Sequence, residues 1–468
     1  LNKLIYALGF SFLILTLPVA GQTNLQKSRT PNDRALEAQV DAYVKPYLDV
    51  KGFSGSILIA RGGKVLFSKG YGMANYELGV ANTPRTRFHI ASVSKTFTAA
   101  AIMILQERGR LNLSDTLIKY IPDYPNGEKI TIHHLLAHTS GIPNVNNFPE
   151  YERQSRFHQS IEEVIEMFKH KPLNFNPGER YSYSNSNYNL LAFIIEKVSG
   201  KGYGEFLKEN IFDPLEMRDS GHDGRAEALL ENRAAGYVPV GLSDLENVPY
   251  LDWTIKTGNG SLYTTVEDMY KWDRALYTEK ILKKSSLDKI FTVHADNSVG
   301  YGWFLGKRLN RRLINMGGRS PGFTSEIQRY VDDNVCIIVL GNNYAPTASV
   351  ISNDLAAIVF GEHYEIPKIV KPLKLDEKMS EAFPGRYQFG TDYFVPGAIA
   401  TIEKRNDQLI MKLSTGANVV LLPQSDMTFF DRVFWETILF VKDDKGEMSH
   451  LIWRYNGMDY RATKLKEK

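Results

Sequence analysis

A chain of 468 residues is too long for one ordinary hydrophobic core, so a large domain with a smaller companion is expected. Apolar residues make up 43% and charged residues 23%, the balance of an ordinary soluble globular protein. The formal net charge of +3 is small, and no sustained basic stripe is interleaved with aromatics, so the composition offers no nucleic-acid surface.

The first twenty residues stand apart. Lys3 supplies a positive start, Leu4 to Leu17 are almost continuously apolar, and Pro18-Val19-Ala20 ends in a small residue. This reads as a secretory signal over 1–20 with cleavage after Ala20, too short for a membrane span and without a nearby cysteine to carry a lipid. No stable membrane span is expected after cleavage, and a periplasmic or extracellular location follows. Residues 21–35 are polar and read as a tether.

A large domain is expected over 36–364. Ser56–Ala60 and Lys64–Ser68 are strand-like runs about Gly62-Gly63, a hairpin signal. A helix is predicted from Ser92 to Arg108, with Val93, Phe97, Ala100, Ile104 and Leu105 on one side, and another from Tyr188 to Val198. Phe323–Tyr330 and Val335–Leu340 form a second strand pair about Asp332-Asp333-Asn334. Strands at both ends with helices between predict an α/β (α+β) fold: one antiparallel sheet flanked by helices, with a helical insert as the other wall of a cleft. The single cysteine, Cys336, excludes a disulfide within one chain and sits in a buried-strand pattern, as a packing residue. Pro367 and Pro372 mark a linker over 365–374. The remainder, 375–468, carries strand-like runs at 398–404, 408–413, 418–422, 437–442 and 448–455, separated by turn signals such as Asn406-Asp407 and Asp443-Asp444-Lys445-Gly446. It is read as a barrel or sandwich of about eight strands.

Ser92-Val93-Ser94-Lys95 is S-x-x-K at a helix start. Residues three apart share a helix face, so the lysine amine reaches the serine hydroxyl. Desolvation lowers a lysine pKa, which suits it as a base. Alone the motif is weak, because a capped helix followed by a surface lysine is common.

Its surroundings make it specific. The stretch Phe88-His89-Ile90-Ala91-Ser92-Val93-Ser94-Lys95-Thr96-Phe97-Thr98 resembles the nucleophile segment of class C β-lactamases and their D,D-peptidase and esterase relatives, the penicillin-binding-protein superfamily. Residues 130–143, containing His138-Thr139-Ser140-Gly141, resemble that family's most recognisable non-catalytic segment. Pro177-Gly178 through Tyr183-Ser184-Asn185 is similar to its P-G…Y-S-N element. Asp213–Met217 and Gly258–Met269 also resemble family segments, and the likeness runs in order over roughly residues 35–360.

The resemblance implies a serine hydrolase with a penicillin-binding-protein-like fold that forms an acyl-enzyme on Ser92 and needs no metal or organic cofactor. Lys95 and Tyr183 would relay protons, a nearby cation pushing Tyr183 toward the phenolate. Asn185 would hydrogen-bond a substrate amide, and the N–H groups of Ser92 and Arg319 would form the oxyanion hole. Which of Lys95 and Tyr183 is the base stays open.

One element departs from the pattern. The family carries a basic K-T-G or H-x-G on a strand edging the site, whereas Asn315-Met316-Gly317-Gly318-Arg319-Ser320-Pro321-Gly322-Phe323 keeps the glycines and the Pro-Gly-Phe but has Met316 at the cation's place. Gly318 is expected to let substrate approach the strand closely. The missing cation favours neutral esters over carboxylate-bearing substrates, unless Arg319 restores the charge. A carboxylesterase is therefore the preferred reading. The alternatives are a β-lactamase or D-amino-acid peptidase acting on cell-wall peptides, and a catalytically poor cleft-binding protein. The partner is in each case a small-molecule or peptide ligand. His134 and His138 have an i, i+4 zinc-like spacing, but Leu135 replaces the glutamate of H-E-x-x-H, so no metal site is expected there. The sequence leaves the oligomeric state open.

Overall fold

A computed structural model describes residues 31–466 apart from 226, 297, 346, 369–371, 375–379, 394–396, 406–407, 415–417, 433–434 and 456–457. The expected signal over 1–20 and the Asn406-Asp407 turn lie outside the described residues. Among the described residues no helix is long and apolar enough to cross a membrane.

Six strands form one antiparallel sheet: β1 (Gly55–Arg61), β2 (Lys64–Tyr71), β3 (Phe304–Arg308), β4 (Arg311–Ser320), β5 (Phe323–Tyr330) and β6 (Val335–Gly341). Their order is β3-β4-β5-β6-β1-β2, so the first and last strand groups of the domain meet in its interior, where Gly55 to Arg61 pair with Gly341 to Val335. The β1–β2 turn uses Gly62 and Gly63 at φ +60° and +78°, the left-handed backbone that a two-residue hairpin requires.

β1 and β6 are apolar at nearly every position because helices cover both faces of the sheet. Ile57, Ile59, Ile337 and Val339 pack with α1 (Pro31–Asp49) and α6 (Thr347–Phe360). Leu58, Ala60, Cys336, Ile338 and Leu340 join the larger core, which also holds α2 (Ser94–Glu107), α4 (Asn185–Ser199) and α5 (Val266–Ala275). The predicted amphipathic stripe on α2 is too narrow, because the helix is buried throughout from Ser94 to Leu105, between the sheet and the helical insert. Ala99-Ala100-Ala101 lets neighbours approach it closely. The expected tether also ends earlier than residue 35: α1 begins at Pro31, whose fixed φ suits a first helical position.

The C-terminal strands β7 (Gly385–Phe389), β8 (Ile399–Arg405), β9 (Gln408–Leu413), β10 (Asn418–Pro423), β11 (Thr428–Asp431), β12 (Glu436–Lys442), β13 (Met448–Tyr455) and β14 (Met458–Lys464) close into a barrel. Its interior is aromatic-rich, with Phe383, Tyr387, Phe389, Phe429, Phe440 and Trp453 among its buried residues. The β11–β12 turn pins the barrel to the larger domain. Arg432 Nη1 donates to the carbonyls of Val240 at 2.9 Å, Gly241 at 3.0 Å and Asp244 at 3.3 Å, and Nη2 donates to that of Val50. The Trp435 ring packs 5.0 Å from that of Tyr47.

Candidate active site

The nucleophile segment leaves a short edge strand, Phe88–His89, that pairs with Leu262–Thr264. It then turns sharply. Ala91 takes φ +46°, a strained conformation for a residue with a Cβ, and a 3₁₀ turn over Ala91–Val93 leads into α2. Ser92 lies in that first turn, where backbone N–H groups lack helical partners. β4 lies directly beside it: a Cβ added at Gly318 would fall 2.3 Å from Ile90 O, 2.4 Å from Ser325 Oγ and 3.0 Å from Ser92 N. Gly318 is thus required for strand-to-nucleophile packing.

Lys95 projects back one turn to the serine. Its Nζ lies 3.1 Å from Ser92 Oγ, 2.8 Å from Asn185 Oδ1 and 2.7 Å from the Asn259 carbonyl oxygen. Burial, followed by the positive charge of Lys256, holds the amine well below the ordinary lysine value. Two of its three partners only accept hydrogen bonds. A neutral amine with two N–H groups therefore gives both to Asn185 and Asn259, and its lone pair is left facing the Ser92 hydroxyl.

Tyr183 lies on the loop before α4 and donates to Ser92 Oγ at 2.8 Å. The expected drift toward phenolate does not occur. Burial raises the Tyr183 pKa, opposed only by the bond to Ser92, and Lys95 sits over the ring, 5.0 Å from its centre. Tyr183 is a neutral donor. His138 packs beneath it, ring centres 4.5 Å apart at 29°, with Nδ1 accepting from Ser184 N–H at 3.2 Å. Burial and the Lys95 charge push His138 down to about 3, so its ring is neutral.

Asn185, expected to bind substrate, has both ends of its amide engaged within the protein. Oδ1 accepts from Lys95, Nδ2 donates to Asn146 Oδ1 at 2.7 Å, and its backbone N–H donates to Asn144 Oδ1 at 3.0 Å. Asn144, Asn146 and Asn259 carry no motif of their own that assigns them a role. Asn259 sits inside a segment already matched to the family, and Asn144 and Asn146 follow Gly141-Ile142-Pro143 directly, so their positions were signalled although their contacts were not.

On β4, Met316 is buried in the apolar core opposite Ile327, and no cation takes its place on the strand. Arg319 is turned away, with Nε donating to the Tyr344 carbonyl at 2.9 Å and its guanidinium 4.0 Å from the Tyr344 ring centre. Its backbone follows Gly318, beside Ser92.

The histidines do not converge. The helix ends at Leu136, so His138, at φ +57°, is off the face that i, i+4 spacing assumes. His134 instead completes a capping box with Thr131, and His133 Nδ1 lies 2.7 Å from the Tyr301 hydroxyl. Among the described residues no cluster of three or more His, Cys, Asp or Glu is placed to hold a metal ion.

Comparison with known proteins agrees with this geometry. The family model described as Beta-lactamase matches residues 40–360. A penicillin-binding protein of Bacillus subtilis (strain 168) is 29% identical over 437 residues, covering 88% of this chain and 95% of the relative. The structure of an octameric penicillin-binding protein homologue from Pyrococcus abyssi superposes with TM-score 0.63 at 26% identity, over 92% of this chain and 99% of that one. The D-amino acid amidase of Ochrobactrum anthropi SV3 shares the fold at TM-score 0.63 and 22% identity, over 70% of this chain and 99% of that one. The chain belongs to the beta-lactamase family of serine hydrolases.

Proposed function

We propose that the protein hydrolyses a small ester or amide through an acyl-enzyme on Ser92, with Lys95 as the base. The observation that carries this reading is the Lys95 amine, held by two pure acceptors so that its remaining valence meets the nucleophile. In the acylation step the Ser92 proton passes to Lys95 Nζ as Oγ bonds to the substrate carbonyl carbon. The carbonyl oxygen becomes an oxyanion, which the N–H groups of Ser92 and Arg319 receive. Collapse expels the alcohol or amine, which takes the proton back from Lys95. Water then attacks the acyl-enzyme and gives its proton to the same amine, and Ser92 recovers it on leaving. Tyr183 orients Oγ through its hydroxyl, and Asn185, Asn146 and Asn259 position Lys95.

The portion of substrate alongside β4 is uncharged in this reading, since Met316 is apolar and Arg319 stacks on Tyr344. That favours a carboxylesterase. An amide substrate is the second reading, supported by the shared fold of an amidase. The leader-like residues 1–20 support export to the periplasm or outside the cell.

A fluorophosphonate probe tests the chemistry. The expected result is one adduct on Ser92 and loss of both adduct and turnover in Ser92→Ala, with the melting temperature little changed. An adduct on Ser94, Ser140 or Ser261 overturns the assignment.

A further inference from the structure

Lys256 is a second buried cation near the nucleophile, and the acyl-transfer steps do not use it. It ends the turn Trp253–Lys256, whose backbone is held firmly. Asp252 Oδ1 accepts from the Thr254 N–H at 3.1 Å and the Thr254 hydroxyl at 2.6 Å. The Trp253 ring lies flat on His89, centres 3.7 Å apart at 4°. The Lys256 carbonyl accepts from the N–H groups of Asn259 at 3.0 Å and Gly260 at 2.8 Å, tying the turn to the residue whose carbonyl holds Lys95.

From this base the side chain runs inward, leaving Lys256 only 6% exposed. A Cβ built on Gly260 would meet Lys256 Cδ at 3.5 Å on one side and the carbonyl carbon of Ala91 at 3.6 Å on the other, so the lysine stem passes next to the nucleophile's turn. Nζ lies 5.7 Å from the ring centre of Tyr151 on α3 (Pro149–Gln154), a helix close in sequence to Asn146. Lys256 Nζ has neither a hydrogen bond nor an ion pair among the described residues, and the Tyr151 hydroxyl oxygen is buried without a hydrogen-bond partner. The Lys256 charge also acts on Lys95, adding to the depression of its amine.

The Lys256 ammonium, on a nearly buried side chain, has no counter-ion among the described residues, and the buried Tyr151 hydroxyl, on the ring over which it lies, is unpaired, an arrangement that costs free energy. Both costs are relieved by one acceptor group carrying negative charge. We propose that Lys256 and Tyr151 form a carboxylate-binding subsite on the helical side of the cleft, and that the substrate is an ester or amide bearing a carboxylate there. The inference rests on the acyl-transfer reading above and narrows its substrate. It agrees with the apolar β4, because the two surfaces contact different parts of the molecule. Substrate charge is read by the helical insert and its neighbouring turn, while β4 takes a neutral portion.

The test uses the full chain and a matched pair of p-nitrophenyl esters, neutral butyrate and anionic hemiglutarate. The measured quantity is the ratio of kcat/KM values, anionic over neutral. In Lys256→Met the ratio is expected to fall about 10- to 100-fold, the loss of one charge-assisted hydrogen bond. It should recover largely in Lys256→Arg and fall less in Tyr151→Phe. Removing the Lys256 charge should also move the acid limb of neutral-ester turnover to higher pH, a shift that a packing role would not produce. A ratio in Lys256→Met within about threefold of wild type overturns the subsite. Should that variant fail to fold, the wild type decides: monomethyl glutarate should inhibit butyrate turnover at least tenfold more tightly than dimethyl glutarate, and equal inhibition overturns the proposal. Absence of a Ser92 adduct would instead strike the acyl-transfer reading, so the two failures are distinguishable.

Discussion

Lys95 in the cleft and Arg432 at the barrel interface occupy similar surroundings and serve opposite ends. Both are buried, and both donate to neutral oxygens instead of to a carboxylate: Asn185 Oδ1 and Asn259 O for the lysine, four main-chain carbonyls for the arginine. Burial depresses both. For lysine the shift brings a neutral amine within reach, whereas Arg432 is pushed down only to about 10 and stays charged near neutral pH. The same solvation penalty therefore yields a base in one place and a fastener in the other. The identity of the cation decides which.

Exchanging the two side-chain types breaks the comparison most sharply. Lys95→Arg puts a fixed positive charge beside Ser92 and removes the lone pair, and should lower kcat/KM about 10³-fold or more with the fold intact by circular dichroism. Turnover within tenfold of wild type would remove Lys95 from the role of base. Tyr183→Phe deletes only an orienting donor, so a smaller loss is expected, about 10- to 100-fold, without the change in the acid limb that loss of a base produces. In the converse exchange, Arg432→Lys cannot span its several carbonyls. Urea titration should record a loss of about 2 kcal/mol, while kcat per folded molecule holds steady. A loss of activity at full stability would mean that the barrel contact shapes the cleft.

His138 gives the stability of the fold a dependence on pH. Its folded pKa of about 3 lies below the ordinary histidine value of 6.5, so the unfolded chain binds the extra proton between them. Its contribution to stability is whole above about pH 6.5 and drains away as pH falls toward 3. Melting temperatures measured from pH 7 to pH 4 should decline, and the decline should be shallower in His138→Asn. An equal slope in both proteins would assign the acid sensitivity to other groups.

Much of the site was legible in the sequence because its chemistry is local or carried by contiguous motifs. Ser92 and Lys95 sit one helical turn apart, and Tyr183 and Asn185 come with their own short pattern. What stayed hidden depends on long-range contact. Nothing in Asn146 or Asn259 announces that one fixes Asn185 and the other offers its carbonyl to Lys95. The ionisation of Tyr183 was misread for a related reason: proximity to a lysine can be guessed from motifs, but the desolvation that outweighs it depends on packing by distant residues such as His138. The barrel shows the same division. Gln408–Leu413 buries every second residue from Leu409 to Leu413, whereas Thr428–Asp431 is only four residues long and Met458–Lys464 buries just Tyr460 and Ala462, between the exposed Asp459 and Arg461.

The pairing of β1 with β6 also sets the order in which the molecule can be made. Gly55 to Arg61 can pair with β2 at once, but find the partner on their other edge only when Val335 to Gly341 have been synthesised, because the two strands stand at opposite ends of the larger domain. Until then Ile57, Leu58 and Ile59 border an unsatisfied strand edge, and the layer on which α2 rests is incomplete. Such distant closure places the domain among slow-folding topologies and leaves a nascent chain open to association through that edge. Refolding from denaturant should therefore show formation of the Ser92 site in its last phase, and prolonged exposure of the half-built sheet should divert chains to aggregates as concentration rises.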